Sequence, residues 1–128
     1  MKLITLEWIE KAKGDFISAQ REYRARKNPN YDSACFHAQQ CIEKYIKARL
    51  QESEIPFGKT HDLSVLLDNV LPLEPFWEPL RPRLRILSAF AIEFRYPGQT
   101  ADREIAHEAV EICKDIRKFI RQSMGILS

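Results

Sequence analysis

The stretch Tyr31–Glu52, YDSACFHAQQCIEKYIKARLQE, decides how the rest of the chain is read. Pro29 precedes it and Pro56 and Gly58 follow it, with neither residue type inside, so breakers mark both ends of a helix. Asp32 or Ser33 is expected to cap its start, because a short side-chain oxygen there accepts a backbone N–H that the first turn leaves unpaired. Ala34, Ala38, Cys41, Tyr45 and Ala48 step by four, three, four and three, and Phe36, Ile42, Ile46 and Leu50 widen the apolar arc. That arc exceeds what a helix on the outside of a bundle needs, so this helix should be covered on more than one side. Gln39, Gln40, Glu43, Lys44 and Lys47 form the polar remainder, in which Glu43 and Lys47 make an i,i+4 pair worth about 0.3 to 0.5 kcal/mol.

Outward from this stretch, the same period recurs. Before it, Ile9, Ala12, Phe16, Ala19 and Tyr23 form a seam flanked by Trp8 and Ile17, in a helix expected to start near a Thr5 cap. Gly14 inside that seam marks either a close helix approach or an exposed, tolerated position. Arg21, Arg24, Arg26 and Lys27 either complement the negative end of the helix dipole or form an RNA contact. Asn28-Pro29-Asn30 is so short a link that the first two helices should form an antiparallel hairpin. After the central helix, Thr60-His61-Asp62 starts a short one with Leu63, Leu66, Leu67, Val70 and Leu71 on one face. Pro72, Pro75, Pro79 and Pro82 then exclude a regular helix, and Phe76 and Trp77 between them should tuck onto the bundle. A fourth helix from Pro82 to about Phe94 carries Leu84, Leu87, Ala91 and Phe94, broadened by Ile86, Ala89 and Phe90, and so lies centrally or faces a second subunit. Pro97-Gly98 ends it. Thr100 or Asp102 caps a last helix to about Met124, with Ile105, Ala109, Ile112, Ile116 and Phe119 in register, and Gly125 stops it. The expected fold is all-α: an up-and-down bundle of four long helices plus a short one, in a single domain over 1–128.

Bulk properties narrow the function. A chain of 128 residues with 45% hydrophobic content needs no staple, and a net charge of +2 permits an RNA partner without arguing for one. Cys35, Cys41 and Cys113 are an odd number without CxxC spacing, and read as core residues of a reducing compartment. The first residues carry charges every few positions and no apolar run, and Ile86–Ile92 is far too short to span a bilayer. A soluble, cytoplasmic protein is expected.

Little conventional chemistry is written in the chain. Glycines are isolated, histidines are single, Ser64 near His61 gives no triad signal, and no metal or cofactor is expected. Two constellations remain. Arg95 and Tyr96 stand at the break between the last two helices, where they could project into a groove. Arg103 and His107 are one turn apart on one helix face, and an Arg and a His held together can stabilise phosphate charge and move a proton. His61, beside a cap position, is either a ligand-binding imidazole or a structural hydrogen-bonding group.

The run Ala34–Ala48, then Thr60-His61-Asp62-Leu63 before a leucine-rich helix, then Arg95-Tyr96-Pro97-Gly98 before a last amphipathic helix, resembles the HEPN domain family over nearly the whole chain. The resemblance implies a helical bundle that pairs into a homodimer and associates with a minimal nucleotidyltransferase as a toxin–antitoxin-like pair. It also implies either nucleotide binding or metal-independent RNA cleavage. In the nuclease branch an Arg is followed, after four to six intervening residues, by a His. Here Arg95 has no His at that distance and Arg103 has only three residues before His107, so a non-nuclease, nucleotide-binding member is expected. Arg95, Tyr96 and His61 carry over as the ligand-contacting corner, and Arg103 with His107 as the weaker catalytic candidates. A ribonuclease toxin and a purely structural bundle stand as the alternatives.

Overall fold

The computed structural model describes residues 1–126. Its elements in order are α1 (Leu3–Arg24), α2 (Tyr31–Glu52), α3 (Leu63–Val70), a 3₁₀ turn (Pro75–Leu80), α4 (Arg81–Glu93) and α5 (Arg103–Ser123). No strand occurs among the described residues. The chain is thus the all-helical bundle expected, four long helices and a short one. α1 and α2 form the antiparallel hairpin, and the link between them passes through Asn28 in the left-handed region at φ 50°.

The central position of α2 follows from its pattern. Ala34, Ala38, Cys41, Tyr45 and Ala48 are buried, as are Ile42, Ile46 and Leu50, and α2 packs against each of the other four helices. The small residues of α2 let neighbouring backbones approach, while its isoleucines and Leu50 add the bulk of its buried volume. The α3 face, Leu63, Leu66, Leu67 and Val70, is buried, and so are Leu84, Leu87, Ala91 and Phe94 along α4. From α5, Arg117 lays its guanidinium 4.5 Å from the centre of the Phe16 ring and so joins α5 to α1.

Several local expectations are corrected. The cap of α2 is Asn30, whose side chain accepts from the Ser33 N–H at 2.9 Å. Asp32 instead accepts from the Ala101 N–H at 2.7 Å and ties the loop before α5 to α2. Thr5 is no cap, because α1 begins two residues earlier; the buried Thr5 hydroxyl donates to Glu52 at 2.8 Å. Asp62 caps α3 and, of the two candidates, Asp102 caps α5. Trp77 is buried and donates its indole N–H to the Ser123 hydroxyl at 2.8 Å, but Phe76 points outward, 85% exposed. A Cβ at Gly14 would meet nothing within 4 Å, so this glycine marks no close approach.

The largest correction lies within α2. Gln39, Glu43 and Lys47 are buried, not solvated. Lys47 donates to Glu43 at 3.0 Å, and its ammonium lies 5.8 Å and 5.6 Å from the ring centres of Trp8 and Phe57. The turn after α2 brings Phe57 and His61 back across this face, so groups that read as surface lie under a second layer.

Candidate functional site

The sequence-predicted corner lies on a groove between α2 and the C-terminal half of α4. Phe94 ends the apolar stripe of α4 and is buried, which fixes the backbone there and leaves the next residue, Arg95, at the surface. One recess, of about 400 Å³, runs from Asn30, Asp32, Ser33 and Phe36 on α2 and its cap to Ala91, Phe94 and Arg95. A smaller one, of about 150 Å³, lies among Gln39, His61, Asp62, Ser88, Ala91, Ile92 and Arg95. Ala91 and Arg95 border both recesses, so the two make one groove with Arg95 at its middle. The Arg95 guanidinium is 5.9 Å from the centre of the Phe36 ring, in cation–π range.

His61 closes the far end. Its ring nitrogen Nδ1 is 3.0 Å from the Glu43 carboxylate, and its main-chain carbonyl accepts from the Gln39 side chain at 2.9 Å. A carboxylate can only accept, so Nδ1 carries a proton and the tautomer is set. Glu43 is itself 3% exposed, held by Lys47 on one oxygen and by Gln39, at 3.2 Å, on the other. A rigid buried carboxylate thus orients an imidazole whose side chain is 64% exposed.

Of the residues singled out from sequence, the structure brings Arg95 and His61 together. Tyr96 borders neither recess and is exposed. Arg103 and His107 belong to a separate, shallow depression with Tyr23, Glu104 and Glu108. There the Tyr23 hydroxyl is 3.0 Å from His107 Nδ1, and the Arg103 guanidinium lies 5.9 Å from the Tyr23 ring centre. Sequence reading gives Phe36 and Glu43 no site role: Phe36 counts with the apolar arc and Glu43 with an ordinary ion pair. The one available signal is the breadth of the α2 pattern, which says that polar residues on this helix must also be covered.

Two of the buried cysteines, Cys35 and Cys41, offer no nucleophile. Burial, then the nearby Asp32 and Asp102 carboxylates, pushes the Cys35 thiol up to about 12. Burial and contact with Cys113 hold Cys41 well above the ordinary thiol range. Both are thiols at neutral pH, and the thiolate is the reactive form. Among the described residues no group of three or more His, Cys, Asp or Glu is placed to hold a metal ion, and no helix is long and apolar enough to cross a membrane.

Comparison with known proteins places this architecture. A family model for the HEPN domain matches residues 5–123. The chain belongs to the HEPN domain family. Among solved structures, this HEPN chain is similar to TT1696 from Thermus thermophilus, at 26% identity and a TM-score of 0.71, over 92% of this chain and 96% of that one. It also resembles ST0689, described as an archaeal HEPN homologue, at 23% identity and a TM-score of 0.69. That second likeness covers 96% of this chain and 98% of the other, and concerns the fold alone. No curated protein matches the HEPN chain.

Proposed function

We propose that this HEPN chain is a dimeric helical module that binds a nucleotide in the α2–α4 groove beside Arg95 and works with a minimal nucleotidyltransferase as a toxin–antitoxin-like pair. The observation that carries the binding reading is the placement of Arg95 between two recesses and against Phe36. A guanidinium beside an open aromatic ring suits a ligand with a phosphate and a flat base, since one recognises the anion and the other stacks. Homodimerisation draws support from Tyr96, an exposed aromatic just past α4 and outside both recesses, which a second copy would cover.

A thermal-shift experiment with ATP and other nucleotides tests the binding reading. A ligand at about 100 times its dissociation constant adds roughly 2.7 kcal/mol of stability, a readily measured rise in Tm. Absence of a shift with every nucleotide would remove nucleotide binding. For the dimer, sedimentation that shows a monomer at micromolar concentration would refute it. The ribonuclease alternative has one observation in its favour, the His107 imidazole held by the Tyr23 hydroxyl with Arg103 over the same ring. Expressed alone, the protein should leave cellular RNA intact; RNA degradation that disappears in His107→Ala would put the ribonuclease reading first.

A further inference from the structure

The two halves of the groove differ in chemistry, and the difference gives a bound ligand a direction. The larger recess offers an aromatic wall, Phe36, with the small polar groups of the α2 start. The smaller one offers a guanidinium, Arg95, and an imidazole, His61, with the Ser88 hydroxyl between α3 and α4. We infer that the smaller recess is the phosphate end of the groove, that His61 is its second phosphate donor after Arg95, and that the ligand is a nucleoside monophosphate.

This rests on the nucleotide-binding reading above and adds an orientation and a charge to it. His61 qualifies as a donor because of what holds it. Glu43 accepts the hydrogen bond from Nδ1–H, so the ring edge carrying Nε2 is the one turned away from the bundle interior. A protonated ring donates from both nitrogens, Nδ1 to Glu43 and Nε2 to an anion. Glu43 is therefore a positioning residue. Its other oxygen is held by Lys47, and the imidazole is the most exposed of the groups in hydrogen-bond contact with it.

The preference for one phosphate follows from charge and size. The recess is small and is faced by one guanidinium and one imidazole, with the Asp62 carboxylate also on its border. Lys47 lies on the far side of Glu43 and does not border it. With the ring protonated that set sums to +1, which offsets part of the charge of one phosphate and leaves nothing for a second. A triphosphate would bring further negative charge against Asp62 with no added cation to meet it.

Calorimetric titration of the full chain with AMP, GMP, CMP and UMP, with the matching nucleosides and with ATP, separates the possibilities. At least one monophosphate should bind on the order of ten- to a hundredfold more tightly than its nucleoside, the range for a charge-assisted hydrogen bond. His61→Ala should erase most of that ratio, weakening the monophosphate far more than the nucleoside, and a thermal melt of the variant checks that it is folded. Glu43→Gln should reduce the ratio in the same direction, whereas a merely structural role would lower nucleoside and nucleotide affinity alike. A monophosphate that binds equally well to wild type and His61→Ala, or ATP binding more than tenfold tighter than AMP, would overturn the inference and leave nucleotide binding in place. If neither nucleotide nor nucleoside binds, the underlying reading falls with it.

Discussion

Glu43 with Lys47 on α2, and Arg103 with His107 on α5, are pairs of the same spacing with opposite surroundings. The first pair is buried under Trp8, Phe57 and His61; the second stands in the open beside Tyr23. Helical spacing puts each pair on one face: Glu43 and Lys47 hydrogen-bond to each other, whereas Arg103 and His107 each contact Tyr23. α2 is packed by every other helix and its Gln39, Glu43 and Lys47 are covered, while Arg103 and His107 of α5 are exposed beside Tyr23 of α1. The energetic meaning of the two contacts differs accordingly. A solvated pair exchanges water for a partner at little net gain, whereas a buried one has lost its water and depends on that partner.

That contrast can be broken experimentally, most sharply at Glu43. Glu43→Ala leaves the Lys47 ammonium buried without its carboxylate, and urea unfolding should show a loss of about 3 to 5 kcal/mol. A loss below about 1 kcal/mol would mean that the pair is hydrated after all. A smaller effect of opposite sign is expected at Gly14, a helical position with open space around it. There Gly14→Ala should raise the unfolding free energy by about 0.5 to 1 kcal/mol, and a destabilisation would show that α1 is covered on that side. The smallest effect belongs to the α5 pair: Arg103→Ala and His107→Ala should each stay within about 0.5 kcal/mol of wild type. A larger loss at His107 would mark its contact with Tyr23 as structural.

Much of the fold can be read from period and punctuation alone. The seams of α1, α2, α4 and α5 name their own buried faces, and Pro and Gly place their ends within a few residues. What escapes are contacts made across long stretches of chain. Thr5 reads as a cap because its type suits one, but its hydroxyl is drawn to Glu52, at the far end of the neighbouring helix. Phe76 reads as buried because it is aromatic, but the short 3₁₀ turn directs Trp77 and Leu80 inward and leaves Phe76 at the surface. The groove is half visible. Arg95 and His61 can be singled out, but their shared recess depends on the loop after α2 returning to place His61 opposite α4, and no local pattern encodes that return. Glu43 is misjudged for the same reason, since it lies 18 residues from the imidazole it orients.

Amide hydrogen exchange in the presence and absence of AMP, GMP, CMP and UMP tests the location of the ligand site most directly. Slowed exchange is expected in residues 30–36 of α2 and its cap and in residues 88–95 of α4, with residues 103–108 unchanged. Unaltered exchange along α2 and α4, or slowing confined to residues 103–108, would contradict a nucleotide groove at Arg95.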